Sequence, residues 1–419
     1  MDPKIRVWVV FGKGPKLGRG RAQLLRLIDE RGSLRRAAAE FGISYRNAWG
    51  YLQELERAAG FKFVERMPGG GPRSGMRLTA AGREFLACYA KFRLSLEAAT
   101  LRHFTHWAYN DFAGKRGAMD FWSAVSGLEQ ALWDLAGKRL GVPVVSLLGG
   151  PCRERVRVYA NGWYSGAKSP DAYAAKAKET VARGFTALKF DPFPGPWRTH
   201  ISRDAERQVV ETVRAVRDAV GPKVDLLIEV HRRLAPMHAV RVARMLEPFD
   251  PFWYEEPVSA RDLGALAECR REIRMPIVTG EELYTRFEFR EVFERRAADI
   301  INPDVCNVGG IEELREIAAM AEAYHVVVSP HNYNSTTVGL AATLQVSAAI
   351  PNFLITEYFV NFDSRAAEVA VNPFKVEQGY VTVPTTPGLG IELREDALAR
   401  HAYREFPPRS IPTPSDEGP

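Results

Sequence analysis

Apolar residues recur at helical spacing early in the chain and at strand spacing later. Over residues 21–31, Leu24, Leu25, Leu27 and Ile28 fall on one helix face, and Gly32 then Ser33 supply a stop and a fresh N-cap. A short Ala-rich helix over 34–40 ends at Phe41-Gly42, and Ser44 can cap a longer helix over 45–59. A strand over 61–66, a Gly/Pro loop over 67–75, a return strand over 76–79 and a helix over 80–92 follow. Helix, turn, helix and then a strand-loop-strand predict a winged helix-turn-helix. From residue 155 the pattern changes to short β-branched runs: RVRVYANG, ALKFDPF, VDLLIEVH, FWYEEP, PIVTGEE, DIINPDV, VVVSPHN and FLITEYF. Helical stretches such as 170–183, 206–220 and 238–246 separate them. Eight strands alternating with helices over about 205 residues predict a parallel (β/α) barrel rather than an open sheet. No GxGxxG follows any of the runs, which disfavours a dinucleotide-binding fold.

Charge separates the same two regions. The 419 residues carry 57 Lys+Arg and 51 Asp+Glu, but residues 1–100 hold 19 basic against 9 acidic, leaving 38 against 42 for the remainder, which also holds all 8 histidines. A basic helix-turn-helix with a basic wing suits duplex DNA, where Lys and Arg neutralise phosphates and a helix reads base edges. Ser44, Tyr45, Arg46 and Asn47 would head the recognition helix, and Arg66, Arg73 and Arg77 would flank or fill the wing. At 26% charged and 46% hydrophobic residues, disorder is not expected. No run of about 18 apolar residues occurs, and four scattered cysteines form no CxxC, so a cytoplasmic protein without membrane insertion or disulfides is expected.

The barrel's chemistry lies at its strand ends. Read from the second strand, these are Lys189 and Asp191, Glu229 and His231, Glu255, Glu281, Asp304, His331 and Glu357. From Glu229 onward the steps are 26, 26, 23, 27 and 26 residues, one strand-helix unit each. The C-terminal rim of such a barrel is where an active site is built, so these side chains should converge there. Glu229, Glu255 and Glu281 make an oxygen-only site that suits Mg²⁺ better than zinc. Asp304, one strand from His331, can fix that imidazole's tautomer and raise its basicity.

The stretches GSLRRAAAEFGISYRNAWGYLQELE and VERMPGGGPRSGMRLTAAGREFL, within residues 15–95, resemble the DNA-binding domain of ModE-type molybdate-responsive regulators. That resemblance implies a winged helix-turn-helix, usually dimeric; nothing after residue 100 resembles their molybdate-binding domains. Residues 115–405, from AVSGLEQALWDLAGKRLGVPVVSLLGG through ALKFDP, LLIEVH, WYEEP, VTGEE, INPDVCNVGGI, SPHN and TEY, resemble the mandelate racemase/muconate lactonizing branch of the enolase superfamily. Within it the chain is most similar to D-galactonate dehydratase and related acid-sugar dehydratases.

The second resemblance implies a (β/α)7β barrel with a capping domain, Mg²⁺ as cofactor and an acid sugar as substrate. It implies that His331 with Asp304 removes the α-proton to give an enediolate, and that His231 protonates the departing 3-hydroxyl. It gives Glu357 and Lys189 to the substrate carboxylate, and a 2-keto-3-deoxy sugar acid as product. Asp191 occupies the place of a second lysine base in racemases of the branch, which disfavours racemisation. Glu229 stands where the dehydratases usually have Asp.

The domain reading that follows is a DNA-binding domain over 1–97, a helical remnant of the cap over 98–150, the barrel over 151–375, and a return to the cap with a tail over 376–419. The winged domain stands where the cap's sheet should be. The alternative to an enzyme is a transcription regulator whose barrel senses a sugar acid with little turnover. Homo-oligomers are expected on either reading.

Overall fold

A computed structural model describes residues 9–10, 15–67, 75–92, 119–194, 199–333 and 335–401. The chain divides into two compact units, Met1–Tyr109 and Asn110–Pro419.

In the first unit a two-stranded ribbon, β1 (Val9–Val10) and β2 (Lys16–Leu17), precedes helices α1 (Arg19–Arg31), α2 (Leu34–Glu40) and α3 (Tyr45–Ala59). The punctuation is as the sequence predicts. Gly32 ends α1 in the left-handed region at φ 63°, Ser33 accepts the Arg36 amide, and Ser44 accepts the Asn47 amide at 3.2 Å. Strands β3 (Val64–Arg66) and β4 (Met76–Leu78) pair antiparallel, and α4 covers residues 80–92. The wing is fixed to the helices by carboxylate contacts: buried Glu56 Oε1 accepts the Phe63 and Val64 amides at 3.0 and 3.2 Å, and half-buried Asp29 accepts the Leu78 amide at 2.7 Å. Leu24, Leu25, Ile28, Leu52, Leu55, Phe63 and Leu86 fill the core between them.

The second unit opens with α5 (Met119–Leu140) and α6 (Val144–Leu147). Eight parallel strands follow: β5 (Arg155–Asn161), β6 (Ala187–Phe190), β7 (Asp225–Glu229), β8 (Trp253–Glu255), β9 (Ile277–Thr279), β10 (Ile300–Ile301), β11 (Val327–Val328) and β12 (Thr356–Phe359). Between them run α7 (Pro170–Ala182), α8 (Arg203–Val220), α9 (Pro236–Leu246), α10 (Leu263–Glu272), α11 (Thr285–Glu294), α12 (Ile311–Ala323) and α13 (Thr336–Ala349). From β5 to β11 each strand pairs with the next, and β12 pairs with β5. The ring closes where Val328 donates to the Asn352 carbonyl at 2.9 Å and accepts the Leu354 amide at 2.8 Å. All eight strands coincide with the eight predicted runs. Among the described residues of this unit, the strand Tyr380–Thr382, which pairs antiparallel with β5, was not anticipated, nor was the β1–β2 ribbon in the first unit.

Period-2 alternation sorts the barrel interior into layers. Tyr159, Ala187, Leu227, Trp253, Ile300 and Ile355 form a closed apolar layer. Two residues further along the same strands, on the same inner face, stand Asn161, Lys189, Glu229, Glu255, Asn302 and Glu357. The apolar layer is thus the floor of a polar site at the C-terminal rim.

Candidate active site

The nine residues expected at the rim come together in three linked groups. The first is the carboxylate triad: one oxygen each from Glu229, Glu255 and Glu281 lie within 4.8 Å of one another. Lys189, 2% exposed, directs its ammonium at this triad, 2.6 Å from Glu255 Oε1 and 3.1 Å from Glu229 Oε2. Buried in the same layer, it places a positive charge against the triad's carboxylates.

The second group is His331 with Asp304. His331 Nδ1 is 2.7 Å from Asp304 Oδ2, and its Nε2 is 3.2 Å from Glu281 Oε2 and 3.4 Å from Glu357 Oε2. The Cys306 amide holds the second Asp304 oxygen at 2.8 Å. Glu357 is fully buried and both its oxygens are engaged, by Asn161 Nδ2 at 2.5 Å and the Asn332 amide at 2.8 Å.

The third group is a second pair of the same kind. His231 Nδ1 is 2.8 Å from Asp191 Oδ2, whose carboxylate also takes the Phe193 amide at 2.9 Å and a guanidinium N–H of Arg233. The His231 side chain is 41% exposed, against 10% for His331. Its backbone amide donates to Glu229 Oε1 at 2.8 Å, which ties this pair to the triad.

Burial is the largest influence on the charge of these groups. At Glu255 burial and neighbouring Glu229 hold the carboxyl well above the usual range. At Glu281 burial is outweighed by His331, Lys189 and Arg232, and the carboxyl is held well below that range. Burial disfavours the imidazolium of His331, but Glu357, Glu281 and Asp304 outweigh it and raise the group well above an ordinary histidine. His231 is raised in the same way, burial being outweighed by Glu229 and Asp191.

Three features make the triad fit for a hard divalent cation. Its donors are all oxygen, the solvent-sealed Glu229 Oε2 accepts no hydrogen bond despite the nearby ammonium, and ionisation of Glu255 is opposed by the groups around it.

The comparisons with known proteins agree with this architecture. The family model described as enolase C-terminal domain-like matches residues 172–397, more than half of the chain, and the mandelate racemase/muconate lactonizing enzyme N-terminal domain matches 94–149. The chain belongs to the enolase superfamily. Among relatives, it is 40% identical over 305 residues to the D-gluconate dehydratase of Thermoproteus tenax, covering 73% of this chain but only 60% of that protein. It is 36% identical over 286 residues to the D-gluconate/D-galactonate dehydratase of Picrophilus torridus, covering 68% of this chain and 73% of the relative. The structure of a mandelate racemase/muconate lactonizing enzyme-like protein from Rubrobacter xylanophilus superimposes with a TM-score of 0.68 at 35% identity, over 82% of this chain and 94% of that one.

Reading this enolase-superfamily barrel from its second strand missed Asn161 at the end of the first, which holds Glu357. It also missed Arg232, whose Nη1 is 2.5 Å from Glu281 Oε1 and 3.2 Å from Glu256 Oε2. His231 and Arg232 are consecutive non-glycine residues in the left-handed region, at φ 53° and 62°, a conformation costing about 1–3 kcal/mol per residue. The Arg232 amide, bonded to the Glu256 carbonyl at 2.7 Å, helps hold that turn. An uninterrupted basic tripeptide, His231-Arg232-Arg233, one residue after a strand was the available signal.

In the first unit, the model for bacterial regulatory helix-turn-helix proteins of the lysR family matches residues 21–83, the segment likened above to molybdate-responsive regulators. Ser44, Tyr45, Arg46 and Asn47 are all exposed at the start of α3, although the Ser44 hydroxyl is occupied as the cap. Arg66 and Arg77 are exposed on the wing, and Arg77 pairs with Glu65 at 2.7 Å. Arg73 lies outside the described residues. Trp49 stacks on Tyr45 with ring centroids 6.5 Å apart, and the Arg35 guanidinium lies 5.6 Å over Tyr45, extending the face beyond the residues expected. Among the described residues no helix is long and apolar enough to cross a membrane.

Proposed function

We propose that the barrel is an Mg²⁺-dependent acid-sugar dehydratase and that the first unit binds duplex DNA. The observation that carries the enzymatic reading is the pairing of two His–Asp couples with one carboxylate triad. His331 reaches Glu281 at one end, and His231 is bonded through its amide to Glu229 at the other. Dehydratase relatives at 36–40% identity support the substrate class.

Glu229, Glu255 and Glu281 would hold the cation, which would supply positive charge to the substrate carboxylate as its α-proton leaves. His331 would act in its neutral form, favoured once a bound cation offsets the charge of Glu281; it would take that proton on Nε2, and Asp304 at Nδ1 would fix the tautomer and stabilise the imidazolium that forms. Protonated His231, held by Asp191, donates its proton to the 3-hydroxyl, which departs as water with the C3–O bonding pair. The resulting enol takes a solvent proton at C3 and becomes a 2-keto-3-deoxy acid. Lys189 and the Asn161-Glu357 pair set the charge of the polar layer that stands on the apolar floor and faces the substrate. The greater exposure of His231 suits an acid that must regain its proton from solvent at each turnover.

The cap reading remains part of this proposal: α5 and α6 represent the helical portion of a capping domain. In the first unit, α3 presents Tyr45, Arg46 and Asn47 to the major groove and the wing arginines meet the backbone. The test is incubation of the full chain with Mg²⁺ and a panel of six-carbon and five-carbon sugar acids, scoring 2-keto acid against His331→Asn. Turnover lost in the variant supports the enzyme. Sugar binding without turnover on any member would replace it with a sensor.

A further inference from the structure

Helix α5 runs beside the loop that leaves β10, and polar side chains on one of its faces grip that loop. Ser123 Oγ donates to Asn307 Oδ1 at 2.9 Å, Ser126 Oγ accepts the Gly309 amide at 2.9 Å, and Gln130 Nε2 donates to the Val305 carbonyl at 3.2 Å. Glu129 stands at the centre of this face and is 1% exposed. Its Oε2 accepts the Ile311 amide at 2.8 Å, and its Oε1 accepts the Glu312 amide at 3.0 Å and Trp133 Nε1 at 2.6 Å.

Ile311 and Glu312 are the first residues of α12, whose N-cap position is Gly310 at φ 110° with no side chain to cap it. Glu129 therefore supplies the cap from a different helix. Geometry makes that arrangement specific, because a Cβ on Gly310 would collide with the Glu129 carboxylate.

The other end of the same loop is Asp304. Its carbonyl accepts the Asn307 and Val308 amides, each at 2.9 Å, and its Oδ1 accepts the Cys306 amide. The loop is thus pinned at Asp304 on one side and at Glu129 on the other, with His331 hanging from Asp304 Oδ2. We propose that Glu129 is a positioning residue for the Asp304–His331 pair: by capping α12 it fixes the 305–310 loop and with it the orientation of the Asp304 carboxylate. Glu129 touches no reacting atom. The inference rests on the role given to that pair above, and it assigns to the retained cap helix a task inside the barrel rather than over its mouth.

The test reads the imidazole directly in the full chain labelled with ¹⁵N-histidine, the His331 ring signals being identified by their loss in His331→Asn. In wild type the Nδ1–H bonded to Asp304 should exchange slowly. Glu129→Ala should speed that exchange about tenfold, the order of the loss in affinity or activity when a group supporting a site residue is removed. Glu129→Gln, which keeps the volume but turns an N–H₂ toward one of the amides, should lie between and serves if the alanine variant does not fold. Asp134→Ala is the control: Asp134 lies on the same helix and accepts the Leu389 amide at 2.9 Å, away from the loop. It should leave the His331 exchange rate unchanged. Wild-type exchange in both Glu129 variants would overturn the proposal, and so would equal acceleration in Asp134→Ala, which would reduce Glu129 to a general packing role. Because no turnover is read, failure of the dehydratase assignment would show separately in the sugar panel.

Discussion

The two units of this chain place charge in opposite ways. In the helix-turn-helix unit the described candidate residues are exposed, separately mounted and, where paired, paired on the surface, as Arg77 is with Glu65. In the barrel Lys189, Glu229, Glu255, Asp304 and Glu357 are each 2% exposed or less and share partners in one connected network. Exposed charges act through number and are screened by salt, whereas buried ones act through position, since each unmatched group carries its full desolvation cost. Burial should therefore set the size of every mutational effect.

The largest effects are expected in the barrel. His331→Asn should lower kcat by about 10³-fold or more while sugar binding persists, measured by steady-state kinetics and calorimetry. Next comes the cation. Mg²⁺ at about 100 times its Kd should raise unfolding stability by about 2.7 kcal/mol, and Glu255→Gln should abolish that gain in thermal unfolding. A stabilisation that survives Glu255→Gln would place the cation elsewhere and break the contrast on the barrel side. On the DNA side, Arg46→Ala should weaken duplex binding about tenfold and lower the slope of log K against log salt by about one, measured by fluorescence anisotropy. Smallest is Arg77→Ala, expected to change duplex affinity about threefold or less because Glu65 already compensates this guanidinium. A loss at Arg77 equal to that at Arg46 would show the wing pair opening on DNA.

Much of this was legible in the sequence because the signals were periodic. Eight β-branched runs each became a strand, and the near-constant step from Glu229 to Glu357 put the rim residues on one ring. Ser33, Ser44 and Gly32 marked helix ends through local chemistry that needs no tertiary information. The rest depended on contacts between distant residues. Period-2 alternation puts Lys189 and Asp191 on one face, but does not show that the ammonium pairs with Glu255 while the carboxylate pairs with His231. The Asn161–Glu357 and Glu129–Ile311 contacts join residues 196 and 182 positions apart, and no local pattern encodes them. The strand at Tyr380–Thr382 was missed for a related reason: so short a segment becomes a strand only because Arg155–Arg157, the start of β5, extends beyond its pairing with β12.

Solvent exchange in D₂O with Mg²⁺ and an active sugar acid separates the roles of the two His–Asp pairs. Wild type should give a 2-keto-3-deoxy acid carrying one solvent deuterium at C3. His231→Asn should make little product but return substrate with deuterium at C2, because His331 still removes the α-proton. His331→Asn should do neither. Exchange at C2 that persists in His331→Asn, or disappears in His231→Asn, would contradict the assignment.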